Sequence, residues 1–172
     1  MVDLKEKIRN IPDFPVKGIQ FKDITTLLKD KEAFKYSIDE ITKYCSKYQI
    51  DYIAGIEARG FIIGAPVAYQ LGIGFLPIRK PEKLPSVVER VSYQLEYGEN
   101  ILEIHKDAIN NGDKVMVVDD LLATGGTTAA VFELIEKLGG KVMGASFIIE
   151  LEFLNPREKL EGYDVFSLVQ YN

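Results

Sequence analysis

The chain has 172 residues, 47% hydrophobic and 27% charged, the balance of a globular protein long enough to bury a real core. Its net charge of −5 argues against a general nucleic-acid-binding surface. No apolar run reaches the roughly 18 residues of a membrane span, and the charged start MVDLKEKIRNIPDFP is unlike a signal peptide.

Taken in chain order, residues 2–10 read as a short charged helix and 11–26 as an irregular segment bearing proline and glycine. Residues 31–47 form an amphipathic helix. Phe34, Ile38, Ile41 and Cys45 recur in it at helical spacing, so Cys45 reads as core filler rather than a nucleophile. As the only cysteine it cannot close an internal disulfide, which fits a reducing, cytoplasmic compartment. A strand is predicted at 52–56, a helix at 61–71 with Pro66 marking a late start or a kink, and a strand at 74–78. Residues 80–98 are polar and long, and a compact domain seldom keeps such a loop without a use for it. A hairpin over 93–104 would turn at Tyr97-Gly98. Further strands are predicted at 115–118, 141–149 and 165–169, with a helix after 128 in which Val131, Leu134, Ile135 and Leu138 share a face. Strands alternating with helices imply one α/β domain, its mainly parallel twisted sheet flanked by helices and its ligands held at the carboxyl ends of the strands.

The most informative stretch is VMVVDDLLATGGTT, Val115 to Thr128. It reads as a buried strand, two carboxylates at its end (Asp119 and Asp120), a small-residue loop of Ala123, Thr124, Gly125 and Gly126, then the hydroxyls of Thr127 and Thr128 opening a helix. Glycines let backbone approach an anion, threonines donate hydroxyl hydrogen bonds, and the helix N-terminus adds its positive dipole end. Carboxylates beside such a loop suit sugar hydroxyls or a Mg²⁺ carried by the ligand. A phosphorylated ribose calls for all of these together. The spacing matches neither a P-loop, since no lysine follows Gly125-Gly126, nor the Gly-x-Gly-x-x-Gly dinucleotide fingerprint.

VVDDLLATGGT resembles the phosphoribosyl-diphosphate signature of the type I phosphoribosyltransferases, and LLATGG is similar to their adenine-specific members. PDFPVKGIQFKDIT near the N-terminus, EARGF at 57–61, RKPEKLP at 79–85 and YQLEYG at 93–98 carry the likeness over nearly the whole chain, in the family's order. The resemblance implies a type I phosphoribosyltransferase-like fold with an N-terminal hood at residues 1–30 and a flexible catalytic loop at 80–98. The reaction it implies is purine salvage: adenine and phosphoribosyl diphosphate give AMP and diphosphate. Mg²⁺ would travel with the diphosphate near Asp119 and Asp120, in a homodimer.

Site residues follow from residue chemistry together with that resemblance. Glu57, Ala58, Arg59 and Gly60 end a predicted strand. Arginine can hold phosphate oxygens in a bidentate fork, Gly60 permits close backbone approach, and the family places the diphosphate here. Arg79, Lys80 and Lys83 are the densest cations in an acidic chain. The resemblance has Lys80 and Lys83 neutralise diphosphate and Arg79 reach a neighbouring subunit's site. Glu82 stands where related sequences usually carry glycine, and Val88 where they often carry threonine. The related enzymes for 6-oxopurines place an aspartate in the phosphate loop where this chain has Ala123. Glu96, beside the ligand-binding Tyr97, is therefore the family's candidate for the purine proton. Phe21 would stack on adenine, backbone groups of Gln20, Phe21 and Lys22 would read its amino edge, and Leu151 would cover its other face. His105, the sole histidine, reads as a surface residue without partners for a zinc site. The alternatives are another purine such as xanthine, or a regulator that senses phosphoribosyl diphosphate without catalysis and so has no need of Lys83 and Glu96.

Overall fold

The computed structural model describes residues 2–94 and 99–172. In chain order its elements are α1 (Leu4–Lys7), β1 (Arg9–Pro12), β2 (Gln20–Asp23), α2 (Thr25–Lys29), α3 (Lys31–Cys45), β3 (Tyr52–Ile56), α4 (Arg59–Leu71), β4 (Gly74–Ile78), β5 (Val88–Gln94), β6 (Glu99–His105), β7 (Lys114–Leu122), α5 (Gly126–Lys137), β8 (Lys141–Leu151) and β9 (Val165–Tyr171). Two short 3₁₀ turns, Glu152–Leu154 and Pro156–Leu160, join the last two strands. Five strands form one sheet in the order β4-β3-β7-β8-β9, every neighbouring pair parallel. β1 pairs with β2, and β5 with β6, as separate antiparallel hairpins.

Strand alternation builds two cores. Ile53, Met116, Val118 and Ile148 face Ile38 and Ile41 of α3 and Ile63 and Val67 of α4. Ala54, Ile56, Val115, Val117 and Phe147 face the other way, onto Val131, Leu134 and Ile135 of α5. The hairpin adds Val91, Leu102 and Ile104 to that second core. An antiparallel bridge between Arg79 and Glu103 ties it to the end of β4. Asp30 caps α3, its carboxylate accepting from the backbone N–H groups of Glu32 and Ala33 at 3.1 and 3.0 Å. Cys45 is fully buried, its Sγ 3.8 Å from Ser146 Oγ, and burial pushes its thiol up to about 11.

The parallel α/β architecture is the one expected, and β3 and β4 have the expected bounds. Five segments differ. Only residues 4–7 are helical at the start, because Arg9 and Asn10 enter β1. There Arg9 donates to Asp23 at 2.5 Å, and Asn10 bonds both Gln20 and Lys22. Cross-strand polar pairs thus make a hairpin of a segment expected to be irregular. α4 begins at Arg59 and runs through Pro66. Residues 88–94 form a strand although they read as loop: from Val88 to Tyr93 only Val91 is buried, so the alternation is faint. Finally, β7 extends to Leu122, so Asp119 and Asp120 lie within its last residues, Asp119 in register with Phe147. His105 is half-buried rather than a plain surface residue, with its Nε2 enclosed and unpartnered.

β7 and β8 slip register where Met116 pairs with Gly144. Gly144 has φ 134°, and a Cβ there would lie 2.4 Å from the Asp164 carbonyl oxygen. Gly144→Ala is expected to destabilise the protein by about 1–3 kcal/mol, the cost of a side chain in a glycine-only conformation. A urea melt with an unchanged midpoint would contradict this.

Candidate active site

β3 and β7 lie side by side, so their carboxyl ends open onto one place. Glu57 and Ala58 follow β3, Arg59 starts α4, and Asp119 and Asp120 close β7. These residues line a cavity of about 370 Å³ together with Ile56, Lys80, Tyr93, Leu102 and Thr127. Gly60 makes the junction possible. A Cβ on it would lie 2.8 Å from Asp119 Oδ1 and 3.0 Å from the Val118 carbonyl oxygen. Its lack of a side chain therefore serves the seating of α4 against β7. The Glu57–Ala58 peptide is cis.

Opposite charges pair throughout the cleft. Arg59 Nε donates to Asp120 Oδ2 at 2.5 Å, and Asp120 is 4% exposed. The Arg59 guanidinium also stands 5.8 Å from the ring centroid of Phe21, which packs T-shaped with Phe14 at 5.1 Å between centroids. Glu57 Oε2 accepts from Arg79 Nε at 3.0 Å and from the Lys80 backbone N–H at 3.1 Å. Burial opposes ionisation of Glu57, but these donors hold its carboxyl below the usual range. Arg79 Nη1 donates to the Lys83 carbonyl at 3.2 Å, closing a turn in which Glu82 adopts the left-handed φ of 64°. That conformation is the one glycine reaches at least cost.

The glycine-threonine loop runs from the end of β7 into α5, and of its residues Thr127 lines the cavity. Gly125, at φ 77°, is the N-cap of α5, and Gly126 and Thr127 open the helix. Thr127 Oγ1 donates to the Tyr93 hydroxyl at 3.2 Å. Tyr93 is a site neighbour that sequence reasoning misses: its signal there is one of the two tyrosines of YQLEYG, and only Tyr97 carries an expected role.

The structure does not bring every candidate to the cavity. Lys83 is exposed, and Arg79 is occupied by Glu57. The side chains of Gln20 and Lys22 are engaged by Asn10, so only their backbone is free to read a ligand. Phe21 points to the opposite side of the hairpin, toward Arg59. Leu151 ends β8 in register with Tyr171, over whose ring Lys22 Nζ stands at 4.3 Å. Through Lys22 the hairpin thus reaches Tyr171, the β9 residue that Leu151 pairs with. Glu96 and Tyr97 lie outside the described residues.

Burial, and next the charge of Asp120, raise the Asp119 carboxyl well above its ordinary value. The folded state then binds this proton more tightly than the unfolded chain, so stability is lost as pH rises through the raised value. Asp119→Asn removes that penalty. The variant is expected to melt higher than the parent at neutral pH, with the gap closing below about pH 4, where both forms are uncharged. A lower melting temperature at neutral pH would refute the assignment.

The Phosphoribosyl transferase domain family matches residues 25–168. The adenine phosphoribosyltransferase of Halothermothrix orenii is 62% identical over 169 residues, covering 98% of this chain and 99% of the relative. That of Clostridium acetobutylicum is 57% identical over 171 residues, covering 99% of each. The crystal structure of the Thermoanaerobacter pseudethanolicus adenine phosphoribosyltransferase superposes with a TM-score of 0.94 at 56% identity, covering 97% of each chain. The Saccharomyces cerevisiae enzyme, solved with an imino-altritol bisphosphate and adenine, gives 0.90 at 40% identity and 96% of each. The sheet and its flanking helices are therefore those of the type I fold, and the chain belongs to the adenine phosphoribosyltransferase family.

Proposed function

We propose that the cleft between β3 and β7 transfers the 5-phosphoribosyl group from phosphoribosyl diphosphate to adenine, giving AMP and diphosphate. One observation carries this reading: Arg59 contacts the acid pair through Asp120 and faces the aromatic ring of Phe21, beside a glycine-threonine helix start. The cleft thus offers groups for a base, a ribose, its 5′-phosphate and a leaving diphosphate. The yeast relative's complex with adenine and a bisphosphorylated imino sugar supports the same pairing of ligands.

Each residue's role follows from what its atoms can do. Ala123, Thr124, Gly125, Gly126 and Thr127 hold the 5′-phosphate with backbone N–H groups and hydroxyls at the α5 N-terminus. Asp119 and Asp120 bind the ribose hydroxyls. They also fit Mg²⁺, a hard cation that takes one or two carboxylates plus substrate oxygens. Among the described residues no cluster of three or more ligating side chains forms a separate metal cage. Held by these two carboxylates, Mg²⁺ would supply charge neutralisation to the diphosphate. Arg59, Gly60 and Ala58 receive the diphosphate, which competes with Asp120 for the guanidinium. Lys80 and Lys83 add charge as the loop closes, and Glu57 keeps Arg79 and Lys80 in position. Phe21 and Leu151 sandwich adenine, with the backbone of Gln20 to Lys22 at its amino edge.

In the reaction adenine N9 bonds to C1′ as the C1′–O bond to diphosphate breaks, and the electron pair leaves with diphosphate. The N9 proton passes to the Glu96 carboxylate, with Tyr97 beside it. The whole chain is one phosphoribosyltransferase domain, with its hood at 1–30 and its catalytic loop at 80–98. A second copy of the chain covers the outer face of α4, where Ile62 and Tyr69 are 44% and 87% exposed. The homodimer is cytoplasmic, where the lone Cys45 stays reduced. Among the described residues no helix is long and apolar enough to cross a membrane.

The direct test is incubation with phosphoribosyl diphosphate, Mg²⁺ and a panel of purines, followed by identification of the nucleotide. AMP from adenine alone is expected. Xanthosine monophosphate would favour the xanthine reading, and no product at all the sensing regulator. Binding measurements separate the subsites. Thr127→Ala should weaken phosphoribosyl diphosphate and AMP alike, by roughly tenfold, the worth of one charge-assisted hydrogen bond. Arg59→Ala should weaken phosphoribosyl diphosphate far more than AMP, which lacks the diphosphate; equal losses would misplace it. Glu96→Gln should lower kcat by ~10²–10⁴-fold with substrate affinities nearly intact. Parental single-turnover rates would remove Glu96 from the mechanism.

A further inference from the structure

Glu150 is an acid without a part in the site described so far. It is 1% exposed on β8, and it gathers four donors: Arg157 Nε and Nη2 at 2.6 and 2.7 Å, Ser167 Oγ at 2.5 Å and Gln170 Nε2 at 3.5 Å. The bidentate pair fixes the turn Pro156–Leu160, whose Leu160 is buried in the core that α5 shares. That turn leans on the anion loop. A Cβ on Gly125 would lie 2.4 Å from the Pro156 carbonyl oxygen and 3.5 Å from Lys159 Cβ. One residue further on, the space a Cβ of Gly126 would enter is bounded by Thr124 Oγ1 at 3.8 Å, the Tyr93 ring at 3.8 Å and Lys159 Nζ at 3.9 Å. Lys159 forms no ion pair among the described residues.

We propose that Lys159 is a further binding residue for the 5′-phosphate, brought to the α5 N-terminus by the Glu150–Arg157 clamp. This rests on the reading of the Thr124–Thr127 loop as the phosphate site. It explains how an acidic protein adds a full positive charge to a loop that has none of its own: a lysine more than thirty residues downstream stands in for the one that a P-loop carries in sequence. The gap above Gly126, walled by a hydroxyl, a helix start and an ammonium, is complementary to a dianionic phosphate. Glu150 acts only through Arg157 and is a positioning residue. Its buried carboxylate keeps the turn in place while leaving the lysine in solvent, free of a competing acid.

The test measures binding of AMP, ribose 5-phosphate, adenosine and adenine to the parent, Lys159→Gln and Lys159→Arg by titration calorimetry. Lys159 is exposed, so neither variant threatens the fold. Expected is a roughly tenfold weakening of AMP and ribose 5-phosphate in Lys159→Gln, largely restored by Lys159→Arg, with adenosine and adenine unchanged. The loss should shrink as salt rises, since it is electrostatic. Phosphate ligands bound as tightly by Lys159→Gln as by the parent overturn the role of Lys159 alone. A loss shared by adenosine and adenine also overturns it, in favour of a structural role. A parent that binds neither AMP nor ribose 5-phosphate overturns the loop reading and the proposal with it. Glu150→Gln gives a second measurement: it should lower the melting temperature and weaken ribose 5-phosphate together, and loss of stability without loss of affinity would detach the clamp from the phosphate site.

Discussion

Everything in the cleft depends on how closely α4 approaches β7. The contact is made through Gly60, whose α-carbon sits where no side chain fits between it, Asp119 and the Val118 carbonyl. Any larger residue would push the helix start away from the strand end. Arg59 would then lose Asp120, and its position over Phe21 would go with it. A steric allowance of one methyl group thus sets the distance between the acid pair and the arginine. The same economy recurs behind it, where Gly55 and Gly64 make room for the Phe75 ring between β3 and α4.

The electrostatic problem is that an acidic chain must welcome a highly anionic substrate. Its answer is pairing. Arg59 rests on Asp120, Arg79 on Glu57, and Arg157 on Glu150, so buried or half-buried carboxylates hold cations in fixed places rather than leaving them to solvent. Each pair costs desolvation that it only partly recovers, and such pairs are better understood as orienting devices than as sources of stability. Backbone N–H groups at the starts of α4 and α5 supply the remaining positive potential without adding net charge.

The central sheet was legible because its strands are continuous apolar runs between glycine- or charge-bearing turns, as YIAGI and VMVV are. The glycine-threonine loop was legible because its residue types have no packing reason to occur together. The N-terminal hairpin was not, since it is held by Arg9–Asp23 and Asn10–Gln20 contacts between residues that look like ordinary surface. β5 was hidden by its polar outer positions. The extension of β7 to Leu122 was hidden by the acids themselves, because carboxylates inside a strand look like its end. Lys159 sits in a charged surface stretch, Arg157 to Lys159, and only the fold reveals that this turn faces Gly125 and Gly126.

Cys45 adds one more consequence. Its thiol is fully buried against Ser146 between α3 and the sheet, and its pKa of about 11 leaves little thiolate near neutrality. A thiol reagent therefore reaches it only when α3 lifts from the sheet. The protein carries a single internal clock for its own opening, read by the labelling rate. Any ligand that binds only the folded state slows that clock in proportion to its occupancy.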